Sequence, residues 1–117
     1  MKKIIVSASK KFNDETLLNE TLDAIVANAN NCKMLFLVPG DLIIGELVIC
    51  YARKRKISVK SFSIHPLLQE RALEIQSDIL AKEGHSCILF QVGNKGGINA
   101  LANACKKYNK PFSFILA

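Results

Sequence analysis

Hydrophobic and polar positions divide the chain into short apolar runs separated by longer amphipathic stretches. The apolar runs have the length of single buried strands, whereas the stretches between them repeat their apolar positions at helical spacing. The first pair shows the pattern: Ile4-Ile5-Val6 predicts a buried strand, and Asn13 or Asp14 is placed to cap a helix that ends near Ala29. The predicted strands are 3–7, 34–38, 58–64, 87–92 and 112–116. The predicted helices run from about 14 to 29, 42 to 55, 67 to 82 and 97 to 108.

This strict alternation predicts the fold class. Strands that are apolar throughout and separated by helices form a parallel sheet covered on both faces. The run 58–64 is the least apolar and is expected nearer an edge. At 117 residues the chain has room for one core. We therefore predict an α/β fold: a single Rossmann-like three-layer domain over 1–117, with a five-stranded, mostly parallel sheet and helices on both faces.

The predicted topology locates a ligand site at the carboxyl ends of the strands, where such sheets bind ligands. Three loops lie there, at 7–12, 39–46 and 93–97. The third is glycine-rich and opens directly into a helix, so its main-chain amides and its lysine suit an anion. The predicted ligand-binding residues are Ser7, Ser9, Lys10, Phe12, Pro39, Gly40, Asp41, Gly45, Glu46, Gly93, Asn94, Lys95, Gly96 and Gly97.

Composition adds limits. A formal net charge of +6 favours anionic partners. The cluster 53–56 lies at a predicted helix end, where the helix dipole explains cations, whereas Lys10 and Lys11 follow a strand. The four cysteines are far apart, without a CxxC pair, so neither zinc nor disulfides are expected, and no cofactor is predicted. No apolar run has the length of a signal peptide or membrane span, which favours a soluble cytoplasmic protein.

Three motifs resemble a known family. They are the residues 7–12 (Ser-Ala-Ser-Lys-Lys-Phe), 38–40 (Val-Pro-Gly) and 93–97 (Gly-Asn-Lys-Gly-Gly), each after a predicted strand. Together they are similar to the SLOG superfamily, the Rossmann-like group of the DprA and LOG proteins, and most of all to its small YspA-like branch. The resemblance covers nearly the whole chain, including 51–55 and 104–111.

The chain departs from the family pattern at several polar positions. Ala8 and Lys10 stand where the family has glycine and arginine, and Ile98 stands where it has threonine. Gln76-Ser77 replaces an Arg-Asn pair, and the second glycine motif is replaced by residues 39–46. The resemblance therefore holds for the order of strands and helices, whereas the polar residues of the family's binding site are largely replaced.

These departures decide which function the resemblance implies. LOG-type enzymes hydrolyse the N-glycosidic bond of nucleoside monophosphates, and such chemistry needs a positioned carboxylate. The predicted ligand edge offers only Asp41 and Glu46, as weak catalytic candidates. The favoured hypothesis is therefore non-catalytic binding, for sensing or sequestration, of a nucleotide or nucleotide-derived signal. Loop 93–97 would hold phosphate, Lys10 and Lys95 would supply charge, and Ser7 or Ser9 would contact the sugar.

Two other classes stay open. One is a nucleotide-processing enzyme, an N-glycosidase or phosphoribohydrolase using Glu46 or Asp41. The other is DprA-like nucleic-acid binding, less favoured because Phe12 is the only aromatic residue expected at the ligand edge. A homodimer through the helix 67–82 is also predicted, although burial of that helix within one chain explains its apolar residues equally well. A small lysine- and asparagine-rich chain also suits a signal-capturing protein of a phage or mobile element.

Overall fold

A computed structural model describes residues 2–9, 11–29, 33–40, 42–63, 72–92 and 99–116. Strands and helices alternate along these segments, as the hydrophobic pattern predicts. The last strand begins and ends at the predicted residues, whereas the predicted starts of the third and fourth helices, near 67 and 97, lie outside the described residues. The elements are β1 Lys2–Ala8, α1 Glu15–Ala27, β2 Met34–Pro39, α2 Ile43–Arg55, β3 Ser58–Phe62, α3 Ala72–Glu83, β4 Ser86–Gln91, α4 Asn99–Lys107 and β5 Phe112–Leu116.

The strands form one parallel sheet in the order β3-β2-β1-β4-β5. β1 is central: Ile5 pairs with Leu37 of β2 on one side and with Cys87 of β4 on the other. β3 lies at an edge and is mostly exposed, in agreement with its weaker apolar character. Strand order reverses between β1 and β4, because the chain first winds toward β3 and then continues on the other side of β1.

The helices cover both faces of the sheet and create two core clusters. On one face, α1 and α2 pack Leu18, Leu22 and Val48 against strand residues such as Val6 and Phe36. On the other face, α3 and α4 contribute Leu80, Ala81, Leu101 and Cys105, which pack against Ile5 and Leu89. The α/β three-layer prediction is confirmed.

Local signals in the sequence fix several element boundaries. The Asp14 carboxylate accepts a hydrogen bond from the Leu17 amide at 3.0 Å and caps α1, as predicted. α2 ends at Lys56, which adopts a left-handed conformation with φ of 56°. α1 therefore begins at its predicted cap, and α2 ends where the chain turns into β3.

A polar cluster joins α1 to α2. The Tyr51 hydroxyl donates to Asp23 Oδ1 at 2.7 Å, and Arg55 approaches the same oxygen at 2.9 Å. The Arg55 guanidinium also lies over the Tyr51 ring, 3.8 Å from its centroid. Burial, together with the hydrogen bond to Asp23, raises the pKa of Tyr51 to about 12.

We expect Tyr51→Phe to lower the free energy of unfolding by about 1 kcal/mol at pH 8, since one hydrogen bond is lost. The wild type should also lose stability as the pH rises from about 10 to about 12, because the unfolded tyrosine releases its proton near pH 10 while the folded one holds it. Urea denaturation at pH 8, 10 and 11 measures both effects. The difference between the two proteins should shrink as the pH rises, and a constant difference would contradict this assignment.

Candidate functional site

The chain that leaves β1 contacts the end of β4 at the point where strand order reverses. The Ser9 amide, just after β1, donates to the Phe90 carbonyl of β4 at 2.9 Å. The Ser9 hydroxyl in turn accepts a hydrogen bond from the Val92 amide at 3.2 Å. The chain leaving β1 is therefore attached to the chain leaving β4 at the position where open α/β sheets bind ligands.

The two serines predicted to bind a ligand are buried at the end of β1. Ser7 and Ser9 are 6% and 5% exposed. Ser7 lies within β1, opposite Leu89, and the Ser9 hydroxyl already bonds to the loop after β4. The Ser9 hydroxyl therefore fixes the main chain at Val92, and a contact of either serine with a ligand stays a prediction.

Phe12 was expected on the ligand edge, and the structure places it in the core instead. Its amide donates to the Ser9 carbonyl at 3.0 Å, which holds Phe12 close to the end of β1 in the turn that follows the strand. The ring is fully buried and lies 4.9 Å, centroid to centroid, from the ring of Phe90. A ring with no exposed surface cannot stack on a ligand without the turn unfolding.

The connection between β2 and α2 is tightly packed. Pro39 is buried at the end of β2, and the Gly40 amide donates to the Phe62 carbonyl of β3 at 2.8 Å. Gly45 is buried in the first turn of α2, so close to β2 that an added Cβ would lie 2.5 Å from the Pro39 carbonyl oxygen. Glu46 is exposed in the same turn, where the helix dipole favours a negative charge.

The other predicted ligand residues lie outside the described part of the chain. They are Lys10, Asp41, Gly93, Asn94, Lys95, Gly96 and Gly97. The described residues bring together Ser7, Ser9 and the ends of β1 and β4, and they place Gly40, Gly45 and Glu46 after the adjacent strand β2.

Two buried polar residues near this edge were not predicted as part of the site. Gln76 and Ser77 of α3 are 5% and 3% exposed. The Gln76 amide nitrogen donates to the Phe62 carbonyl, at the carboxyl end of β3, at 2.8 Å. The signal in the sequence is a polar pair that interrupts the apolar stripe of a helix, four and three residues before the buried Leu80.

The cysteines do not form a metal site with the other described residues, among which no group of three or more possible ligands is close enough to hold an ion. Cys50 is exposed, while Cys87 and Cys105 are buried next to each other in one core cluster. The hydrogen bond that the Cys87 thiol donates to Cys105, together with burial, raises the pKa of Cys87. A buried, protonated thiol of this kind acts as a small apolar side chain.

Two findings bear on the remaining predictions. Among the described helices, none combines the length and the apolar character that crossing a bilayer requires. On α3, Ile79 is 44% exposed beside a shallow groove shared with α4 and lined by Glu74, Asp78 and Lys107. An exposed apolar side chain on this helix is compatible with the homodimer, which stays a prediction.

Comparison with known proteins supports the fold. No family model matches the chain, and no curated protein matches it. Among solved structures, the chain is similar to the C-terminal domain of a hydrogenase from Pyrococcus furiosus, with a TM-score of 0.50 and 14% sequence identity over 97% of this chain and 91% of that domain. At this identity the likeness concerns the Rossmann-like arrangement alone.

Proposed function

We propose that this protein binds a nucleotide or nucleotide-derived signalling molecule without consuming it, at the carboxyl edge of the sheet. The observation that carries the proposal is the reversal of strand order between β1 and β4, with the loop after β1 attached to the loop after β4 through Ser9. The ligand would lie above this attachment, against the glycine-rich segment 93–97. We further propose that the chain is a divergent relative of the SLOG superfamily, because residues 7–12, 38–40 and 93–97 resemble its motifs.

Non-catalytic binding is preferred to hydrolysis because of the acidic residues. Glu46 is exposed, and no salt bridge or hydrogen bond within the described residues orients its carboxylate. A general acid or base must be held within hydrogen-bond reach of the atom it protonates or deprotonates. An exposed carboxylate in a first helical turn is explained by the dipole alone.

The direct experiment is to denature the purified protein and identify the released small molecules by mass spectrometry. The protein is also incubated with a panel of nucleotides, NAD and cyclic nucleotides, and the mixture is separated by chromatography. We expect a bound nucleotide that is recovered intact. Release of a free base would show an N-glycosidase, and absence of binding by every member of the panel would contradict the proposal.

We expect Lys95→Gln to weaken binding of the identified nucleotide by about tenfold or more, because a charged hydrogen bond to phosphate contributes about 1.5–3 kcal/mol. Lys11→Gln is the matched control, since Lys11 is exposed and follows β1 as Lys95 follows β4 along the chain. This control should change the dissociation constant by less than about twofold. Isothermal titration calorimetry measures both variants. If both variants lost the same affinity, the net charge of the protein, and not the glycine-rich loop, would account for binding.

A further inference from the structure

Positive charge is concentrated at the amino edge of the sheet, opposite the proposed nucleotide site. Each helix returns the chain from the carboxyl edge to the amino edge, so helix ends and strand starts share that side. Adjacent strand starts are bonded there: the Lys2 amide donates to the Lys33 carbonyl, and the His85 amide donates to the Lys3 carbonyl, both at 2.8 Å. Eleven of the sixteen lysines and arginines lie in these segments: Lys2, Lys3, Lys33, Arg53, Lys54, Arg55, Lys56, Lys82, Lys106, Lys107 and Lys110.

Acidic residues are placed differently. Glu15, Glu46 and Glu74 lie in the first turns of α1, α2 and α3, and Asp14 precedes α1, so these carboxylates lie toward the carboxyl edge. Among the described acidic residues, Glu83 is the one in a last helical turn. The described charges are therefore polarised along the strand direction, with an excess of positive charge at the amino edge.

The helix dipole and local ion pairs explain part of this surface. Cations in last helical turns complement the dipole, and exposed salt bridges join Arg55 to Asp23, Lys3 to Glu83, and both Lys82 and Lys107 to Asp78. The dipole does not explain Lys2 or Lys33, which begin or precede strands. Within the described segments no salt bridge engages Lys2, Lys33, Arg53, Lys54 or Lys56.

We propose that this surface, the amino-edge band, binds the phosphate backbone of double-stranded nucleic acid without reading its sequence. Five strands spaced about 4.8 Å apart make the band about 19 Å long. Duplex DNA carries one negative charge for about every 1.7 Å of its axis, so a band of this length faces several phosphates at once. Contacts from lysines and arginines to phosphates fix a protein on a duplex but carry no base information.

The chemistry of the band separates this partner from other anionic ones. Among the exposed large apolar residues of the described chain, Ile43, Phe114 and Leu116 lie away from the strand starts and last helical turns, and Ile79 lies beside Lys107. Peripheral membrane binding pairs basic residues with several apolar side chains that enter the lipid, and within its described part the band offers only Ile79. It also offers no exposed aromatic ring on which single-stranded bases would stack.

The band is independent of the proposed nucleotide site. β1 is seven residues long, so the two edges are about 23 Å apart at about 3.3 Å per residue. A substitution that abolishes duplex binding leaves the nucleotide site unchanged, and the reverse also holds. The two proposals can therefore be tested separately.

Fluorescence anisotropy with a labelled 20-base-pair duplex tests the proposal over a series of salt concentrations. The test variant is Lys2→Gln with Lys54→Gln, and the matched control is Lys11→Gln with Lys60→Gln, which removes the same charge from exposed positions outside the band. At 100 mM salt we expect the test variant to bind about tenfold more weakly or worse, and the slope of log K against log salt to fall by about two. The control should bind within about threefold of the wild type.

Thermal melting shows first that both variants are folded. No duplex binding by the wild type at 50 mM salt, or equal weakening by the two double variants, would overturn the proposal. Vesicles of phosphatidylserine and phosphatidylcholine, a polyglutamate peptide and a single-stranded oligonucleotide are titrated in parallel. Tighter binding to any of these than to the duplex would also overturn it.

Discussion

Phe12→Ala is expected to lower the free energy of unfolding by about 4 kcal/mol, since truncating a fully buried phenylalanine costs about 3–5 kcal/mol. The ring lies between the sheet and α1, packed at 4.9 Å on Phe90 and in the same core cluster as Leu18. Its removal would leave a cavity that the surrounding strand and helix cannot close, because β1 and β4 are fixed to one another by main-chain hydrogen bonds. Urea denaturation followed by circular dichroism measures the loss.

Phe12→Leu and Lys11→Ala are the controls for this result. Leucine keeps an apolar side chain at the site, so a loss of about 1.5 kcal/mol or less is expected. Lys11 is exposed in the same turn and should change stability by no more than about 0.5 kcal/mol. Should Phe12→Ala keep wild-type stability and weaken only the binding of a ligand, the ring would belong to the ligand edge after all.

The fold could be predicted because its signals are local. Apolar runs such as Ile4-Ile5-Val6 are too short for helices, and the stretches between them repeat at helical spacing. Capping is local as well, because the Asp14 carboxylate accepts a hydrogen bond from the amide of Leu17, only three residues later. Once strands and helices alternate strictly, the parallel covered sheet follows from chain connectivity and needs no knowledge of individual contacts.

For the candidate site, the sequence predicts an edge of the sheet but not which side chains face outward there, because the direction of each side chain depends on packing. Phe12 follows a strand, just as Ser9 does, and the sequence does not show that the turn at 9–12 directs the ring into the gap beside Phe90. Gln76 is a comparable case, because its contact with the Phe62 carbonyl joins residues 14 positions apart through the sheet.

For the charged residues, too, the sequence predicts local features, whereas their position on the surface depends on the fold. The sequence gives a net charge of +6 and a cluster at 53–56, which the helix dipole explains locally. The gathering of Lys2, Lys33 and Lys110 on that same side depends on strand order and direction. Net charge therefore pointed to anionic partners, whereas topology assigns most of that charge to the edge opposite the glycine-rich loop.

Gly45→Ala is expected to lower the free energy of unfolding by about 2 kcal/mol. The added Cβ would lie 2.5 Å from the Pro39 carbonyl oxygen and 3.5 Å from its carbon, so the obstacle is main chain and cannot rotate away. Pro39 is held in turn by its pairing with Phe62 of β3, and overpacking of this kind costs about 1–3 kcal/mol. The gain in helix propensity, about 1 kcal/mol, offsets only part of the clash and of the resulting displacement of α2.

Cys50→Ala is the matched control, because Cys50 is exposed on the same helix, and its effect should stay within about 0.5 kcal/mol. The comparison also separates two roles for Gly45, which was predicted to bind ligand. A glycine that only admits a ligand would tolerate alanine with unchanged stability and lose binding. A glycine that lets α2 begin directly against the end of β2 would lose stability first, and any loss of binding would follow from the displaced first turn that carries Glu46.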